Sequence, residues 1–177
     1  RSHPVPGLAI LYAGRGLRMN LTPLESIEAF LYREASYLDQ PDLESWIQLF
    51  TDDGTYWMPA MQDQPDPLNH ISHFYDDRVL MEIRKRNFIH PRAASQEASV
   101  RCSHLIANIR QEGTTKDGEL IIHSNFHVVM WYREEQRVYA GTYQHHLQTS
   151  DSGFLIKHKK VQLINPEAAQ KSIIIYL

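Results

Sequence analysis

The sequence contains a single cysteine, Cys102. One thiol excludes an intramolecular disulfide, a cysteine-based zinc site and any four-ligand iron–sulfur centre, including one held by two Cys and two His. Long apolar runs are also missing. The cleanest, Leu8 to Tyr12 and Ile173 to Leu177, are far short of the roughly 20 residues a membrane-spanning helix needs. No excess of one charge exists either: 18 Lys and Arg stand against 21 Asp and Glu, net −3, mixed along the chain, which argues against a nucleic-acid surface. The absent disulfides and absent signal peptide point to a reducing, cytoplasmic setting.

What is present suits one globular domain. The 177 residues are 42% hydrophobic and 22% charged, and a chain of this length buries roughly 70% of its unfolded surface. Residues 1–18 carry three Gly and two Pro without a sustained period, and read as a docking arm or an upstream leader ahead of a domain over 19–177. Thr22-Pro23-Leu24-Glu25 is a capping box that opens a helix with Leu24, Ile27, Phe30, Leu31 and Leu38 along one stripe. Asp39-Gln40-Pro41 breaks it, and Leu43, Trp46, Ile47 and Phe50 form one face of a second helix. Asp52-Asp53-Gly54 reads as a turn and Thr55 to Met58 as a short strand ended by Pro59. A third helix is expected over Ser72 to Arg86, with Phe74, Leu80 and Ile83 inward and Pro91 beyond it.

From about Ser99 the period changes from 3.6 to 2. Four long strands are expected, over Ser99–Gln111, Glu119–Arg133, Arg137–Thr149 and Phe154–Asn165, with a last edge or docking strand over Ser172–Leu177. The short separators suit hairpins, so an antiparallel meander is expected. Strands this long imply a strongly bent sheet. Helices first and a meander afterwards give a segregated α+β fold.

The ten histidines invite a metal reading, but strand geometry opposes it. His123 and His127 share a face about 13 Å apart, too far for one metal, and adjacent His145 and His146 point to opposite faces. His73 and Asp77 pair as i, i+4 neighbours if a helix begins there, with an inter-subunit contact as the functional alternative. Lys157-His158-Lys159-Lys160 is a basic run whose alternation puts Lys157 and Lys159 on one face, read as a solvated or partner-facing edge.

The segment Phe30 to Trp57, FLYREASYLDQPDLESWIQLFTDDGTYW, resembles the N-terminal signature of the β, or small, subunits of aromatic-ring-hydroxylating dioxygenases. His73-Phe74-Tyr75-Asp76-Asp77, His104 to Ile109, Ser124-Asn125-Phe126, Tyr139-Ala140-Gly141 and Ile156 to Asn165 extend the resemblance in order from Met19 to Leu177. Ala98-Ser99-Val100-Arg101 departs from the family's Ser-Arg-Thr at that point. The resemblance implies a cone-shaped fold like nuclear transport factor two, with N-terminal helices on a strongly curved antiparallel sheet. It also implies a non-catalytic role supporting an α subunit in ring cis-dihydroxylation, with some influence on substrate preference. The Rieske cluster and mononuclear iron belong to that α partner and no cofactor to this chain. Self-association as a trimer within a three-plus-three hexamer is implied as well. His73, Asp76, Asp77, Arg84, Tyr139 and Tyr176 are interface candidates, and Tyr132, Tyr143 and Phe154 join the pool of aromatic anchors. The alternative is a stand-alone cone-fold lyase, isomerase or small-molecule-binding protein using Asp53, Tyr56, His104 and Asp77 inside the cone.

Overall fold

A computed structural model describes residues 23–89, 100–169 and 171–177. The expectations for residues 1–18, for the Thr22 cap and for Pro91 lie outside the described residues.

Helix α1 (Pro23–Asp39) buries Ile27, Phe30, Leu31, Glu34, Ala35 and Leu38 along one stripe, while Leu24 is exposed. Helix α2 (Leu43–Ile47) is shorter than expected and starts at Asp42, whose Oδ1 accepts from the Ser45 backbone at 3.1 Å. The chain then enters strand β1 (Phe50–Pro59) directly. Asp52-Asp53-Gly54 is therefore not a turn. It is the irregular stretch of β1, where the pairing register shifts between Phe50 and Thr55. A Cβ at Gly54 would lie 2.9 Å from the Ile156 carbonyl oxygen, so glycine is what permits the close approach.

The third helix also begins later than expected. Ser72–Asp77 is strand β2, hydrogen-bonded antiparallel to β1 with Tyr56 opposite Asp76 and Met58 opposite Phe74. Only then does helix α3 (Arg78–Ile89) start, with Asp77 Oδ1 accepting from the Leu80 backbone at 2.9 Å. The expected stripe fails for the same reason. Leu80 and Ile83 are exposed, and over Arg78–Arg86, where side chains are described, Met81 is the one α3 buries.

The meander is as expected in number and order: β3 (Arg101–Thr114), β4 (Leu120–Tyr132), β5 (Glu135–Ser150) and β6 (Gly153–Leu163). Burial alternates along β4 and β5, the signature of a sheet with one covered face. Register shifts interrupt β3–β4 between Ala107 and Arg110 and β5–β6 between His146 and Leu147. Bulges of this kind bend long strands and increase their twist.

The sheet order is β2-β1-β6-β5-β4-β3. It is mixed rather than wholly antiparallel, because β1 lies parallel to β6. The whole β3–β6 meander separates those two strands in sequence, long enough to return β6 in the direction of β1. No strand forms over Ser172–Leu177. That segment is irregular, and Ile175, Tyr176 and Leu177 are buried in the main core. Tyr56 explains the docking: its hydroxyl donates to the Leu177 carbonyl at 3.3 Å and accepts from the Leu177 amide at 3.1 Å. Tyr176 stacks on Trp46 at 4.4 Å.

The fold class is thus the expected α+β cone, with helices packed on the buried face of an open, six-stranded mixed sheet. Among the described residues, no helix is long and apolar enough to cross a membrane.

Candidate functional site

The most unusual feature of the interior is a set of charges. Glu34, on the buried stripe of α1, is 1% exposed, and so is Lys159 on β6. Lys159 Nζ donates to Glu34 Oε1 at 2.8 Å, the Trp46 indole N–H donates to the same oxygen at 3.2 Å, and His145 Nε2 lies 3.0 Å from Oε2. Lys159 Nζ also sits 4.3 Å from the centroid of the Tyr143 ring. Burial pushes the Glu34 carboxyl up, but Lys159 and His145 outweigh it and hold the group well below the usual carboxylate range. Burial lowers both Lys159 and His145, with Glu34 opposing the change in each. Every atom of the Glu34 carboxylate is thereby paired, the condition under which a buried ion pair is tolerable.

Lys159 overturns the reading of its basic run as a solvated edge. His146 pairs with His158 and Leu147 with Ile156, so Lys157 is an extra residue on β6. The bulge breaks strict alternation: Lys157 leaves the face of Lys159 and reaches Asp53 instead, while Lys159 turns inward. His145 and His146 do face opposite ways. His146 lies outside, with Nδ1 3.7 Å from Glu119 and its ring 5.5 Å from that of His158. His123 pairs with Glu112 at 3.2 Å rather than with His127. Among the described residues no three His, Cys, Asp or Glu side chains converge on a metal position. The donor set does not fit a metal centre.

The four residues of the alternative catalytic set are scattered. Asp53 is exposed and paired with Lys157 and Thr51. Asp77 caps α3. Tyr56 holds Leu177. His104 binds Asp39, which accepts from its Nδ1 at 2.6 Å and its backbone N at 3.0 Å. The sequence pattern marked neither Glu34 nor Asp39 as a functional group, and it marked His145 only as a rejected metal ligand and Lys159 only as part of a basic edge. The available signal was Glu34 itself, an acid standing three residues from Leu31 on an otherwise apolar stripe.

Of the six interface candidates, three are buried within the chain: Asp76, Tyr139 and Tyr176. Asp76 takes a two-point hydrogen bond from Arg84, at 2.5 and 3.2 Å, and one from the Tyr176 hydroxyl at 2.7 Å. That triad fastens α3 and the C-terminal segment to β2. The expected His73–Asp77 pair does not form, because both lie on or beside a strand. His73 Nε2 instead lies 2.9 Å from the Pro166 carbonyl. His73, Asp77 and Arg84 keep surface that a partner could reach. A further cleft of about 450 Å³ lies at the hairpin end of the sheet, lined by Asp117, Gly118, Glu119, Gln148, Thr149 and Lys157.

Outside the cone, apolar side chains stand uncovered. Leu105 and Val138 are 64% and 60% exposed, with Val129 and Trp131 beside them. Val129 lies directly opposite Val138 across β4–β5 and opposite Ser103 across β3–β4. The four form one patch on the face of the sheet opposite buried Phe126, Val128 and Met130.

Comparison with known proteins places this architecture. The toluate 1,2-dioxygenase subunit beta of Pseudomonas putida is 34% identical over 146 residues, covering 80% of this chain and 90% of that one. The solved beta subunit of benzoate 1,2-dioxygenase from Burkholderia mallei is 27% identical, with a TM-score of 0.71, over 89% of this chain and all of that one. A scytalone dehydratase-type structure from Novosphingobium aromaticivorans shares the fold alone, with a TM-score of 0.59 at 16% identity, over 78% of this chain and 81% of that one. The sequence model described as "Ring hydroxylating beta subunit" matches residues 33–168, and the chain belongs to that family.

Proposed function

We propose that this chain is the non-catalytic β subunit of a multicomponent aromatic-ring-hydroxylating dioxygenase of the cytoplasm. In this reading an α partner carries the Rieske cluster and the mononuclear iron, and performs cis-dihydroxylation of an aromatic compound. The present chain orders α subunits around itself in a three-plus-three hexamer. The observation that carries the reading is the uncovered apolar patch of Leu105, Val129, Trp131 and Val138 on the outer face of the sheet. A second set, Val79, Leu80 and Ile83 on α3, stands beside His73, Asp77 and Arg84. Two separated patches suit a subunit that touches both a like neighbour and a different one. We assign the sheet patch to self-association and the α3 surface to the α partner. Obligate contacts of this kind bury upwards of about 2,000 Å². The stand-alone enzyme is the weaker reading, because Asp53, Tyr56, His104 and Asp77 serve four separate local contacts.

Co-expression of the full chain with an iron-bearing α subunit, followed by light scattering, tests the assembly. A hexamer that Val129→Asp reduces to smaller species supports the reading. A chain that remains monomeric and retains no iron-bearing partner overturns it.

A further inference from the structure

Eight histidines are among the described residues, and seven of them have a partner for the ring. His70, His104, His123, His145 and His146 each face a carboxylate, those of Asp66, Asp39, Glu112, Glu34 and Glu119 in turn. His73 meets the Pro166 carbonyl, and His158 Nδ1 lies 2.7 Å from the Thr55 hydroxyl. His127 is the exception. Its side chain is exposed on β4, and among the described residues nothing hydrogen-bonds or ion-pairs with its ring.

The strand register places this ring within the uncovered apolar patch. His127 stands directly opposite Leu105 across β3–β4 and opposite Ala140 across β4–β5, with Val129 two residues along the same face. The row continues beyond β5: the Ile164 backbone N–H donates to the Ala140 carbonyl at 3.0 Å, and the Ile164 side chain is 75% exposed. At the diagonal positions stand Ser103 and Ala107 on β3 and Val138 and Thr142 on β5, none of them ionisable. The charged and titratable groups of this face lie further off. Arg101 is opposite Trp131, His123 is opposite Arg110 and beside Glu112, and Lys160 of β6 is opposite Gln144. No carboxylate therefore stands directly or diagonally across from the His127 ring.

Water supports an imidazolium on a free surface. Apolar cover removes that support, and without an anion alongside nothing replaces it. A second copy laid on Leu105, Val129, Val138 and Ile164 covers His127 as well, so the contact accepts the neutral ring and excludes the charged one. Resting on the reading of this patch as the contact between copies, we infer that His127 is a proton-operated release for that contact. The contact is complete where imidazoles are neutral, above about pH 6.5, and is lost as pH falls through the range in which they charge. His158 does not compete in that window, because burial holds it down to about 4.

Sedimentation velocity of the full chain at pH 7.5 and pH 5.5 tests the release, with near-ultraviolet circular dichroism following the fold at both. An ordinary imidazole is about nine-tenths protonated at pH 5.5, so a contact that admits only its neutral form weakens about tenfold for each ring it covers. His127→Gln keeps a polar side chain without the titration, and is expected to associate equally well at both pH values. His123→Gln, outside the apolar row, is expected to keep the wild-type response. A chain that is monomeric at pH 7.5 overturns the contact between copies, and the inference with it. A chain that associates at pH 7.5 and equally tightly at pH 5.5 overturns the release alone, as does a response that survives in His127→Gln or disappears in His123→Gln.

Discussion

Removing Lys159 from its partner measures what the buried charges contribute. Glu34 and Lys159 are each 1% exposed, and their 2.8 Å hydrogen bond is supported by Trp46 and His145. Lys159→Met keeps length and apolar volume but leaves the carboxylate with two neutral donors. Losing one member of a fully buried pair costs about 3–5 kcal/mol. At about 2–4 °C per kcal/mol for a domain of this size, the midpoint falls by roughly 6–20 °C. Glu34→Gln is expected to cost a similar amount. The double variant is expected to be more stable than the sum of the singles by at least about 2 kcal/mol, since it strands neither charge. Urea unfolding monitored by circular dichroism gives all three values.

The pH dependence adds a second signature. In the wild type the lowered Glu34 group contributes stability above its unfolded value of 4.5, which is lost as pH falls. In Lys159→Met burial acts unopposed by that cation, so the folded carboxyl rises above its unfolded value. Stability is then greatest in acid and declines as pH climbs. Single-variant costs that add within about 0.5 kcal/mol, with no reversal of the pH slope, would refute the idea that the two charges act as a unit.

Four further outcomes follow from individual contacts. His158 is held down to about 4 by burial, then by His146 and Lys160, so the unfolded chain binds the extra proton first; stability should be complete above about pH 6.5 and fall towards pH 4 by up to about 3 kcal/mol, a slope that His158→Gln flattens in acid titration. Gly141→Ala should abolish soluble expression, because a Cβ there would lie 2.0 Å from the Gln162 carbonyl oxygen across β5–β6. Asp76→Asn should cost about 2–3 kcal/mol, since it weakens the Arg84 and Tyr176 contacts together, and should expose the C-terminal segment to carboxypeptidase. Cys102 is pushed up to about 11 by burial and by Asp39, so iodoacetamide at neutral pH should modify it far more slowly than it does the unfolded chain.

The meander was legible because each strand carries its own period and each separator its own turn residues. Leu120–Tyr132 alternates whatever its neighbours do. The errors lie where a local pattern was outvoted by a distant partner. His73 to Asp77 reads as helix when taken with the residues after it, yet the open edge of β1 claims it as a strand. Asp52-Asp53-Gly54 has turn chemistry but is drawn into β1, where Ile156 lies against Gly54. The basic run was misassigned by one residue. A single inserted position at Lys157 shifts every side chain before it relative to those after it, and no composition-based rule marks where such a bulge falls. The family resemblance was carried by motifs that are local in sequence, and those were readable without any of this.

The buried Glu34 cluster and the uncovered patch on the sheet are connected by one requirement. Glu34 draws its partners from three other elements: Trp46 of α2, His145 of β5 and Lys159 of β6. An apolar stripe alone would let α1 rotate or slide against the sheet with little penalty, since Leu and Ile accept many neighbours. A carboxylate that must meet three donors in the low-dielectric interior accepts one placement. The placement of α1 in turn sets β3, because Asp39 at its end holds both the backbone and the ring of His104. Strand β3 is the far edge of the sheet, and Leu105, the residue after His104, belongs to the uncovered patch. The charge inside the cone thus fixes the surface outside it, as the proposed assembly role requires. If the proposed contact between copies uses that patch, Asp39→Asn should loosen it, read as a rise in the concentration at which the assembly falls apart in light scattering, by more than its change in urea midpoint accounts for.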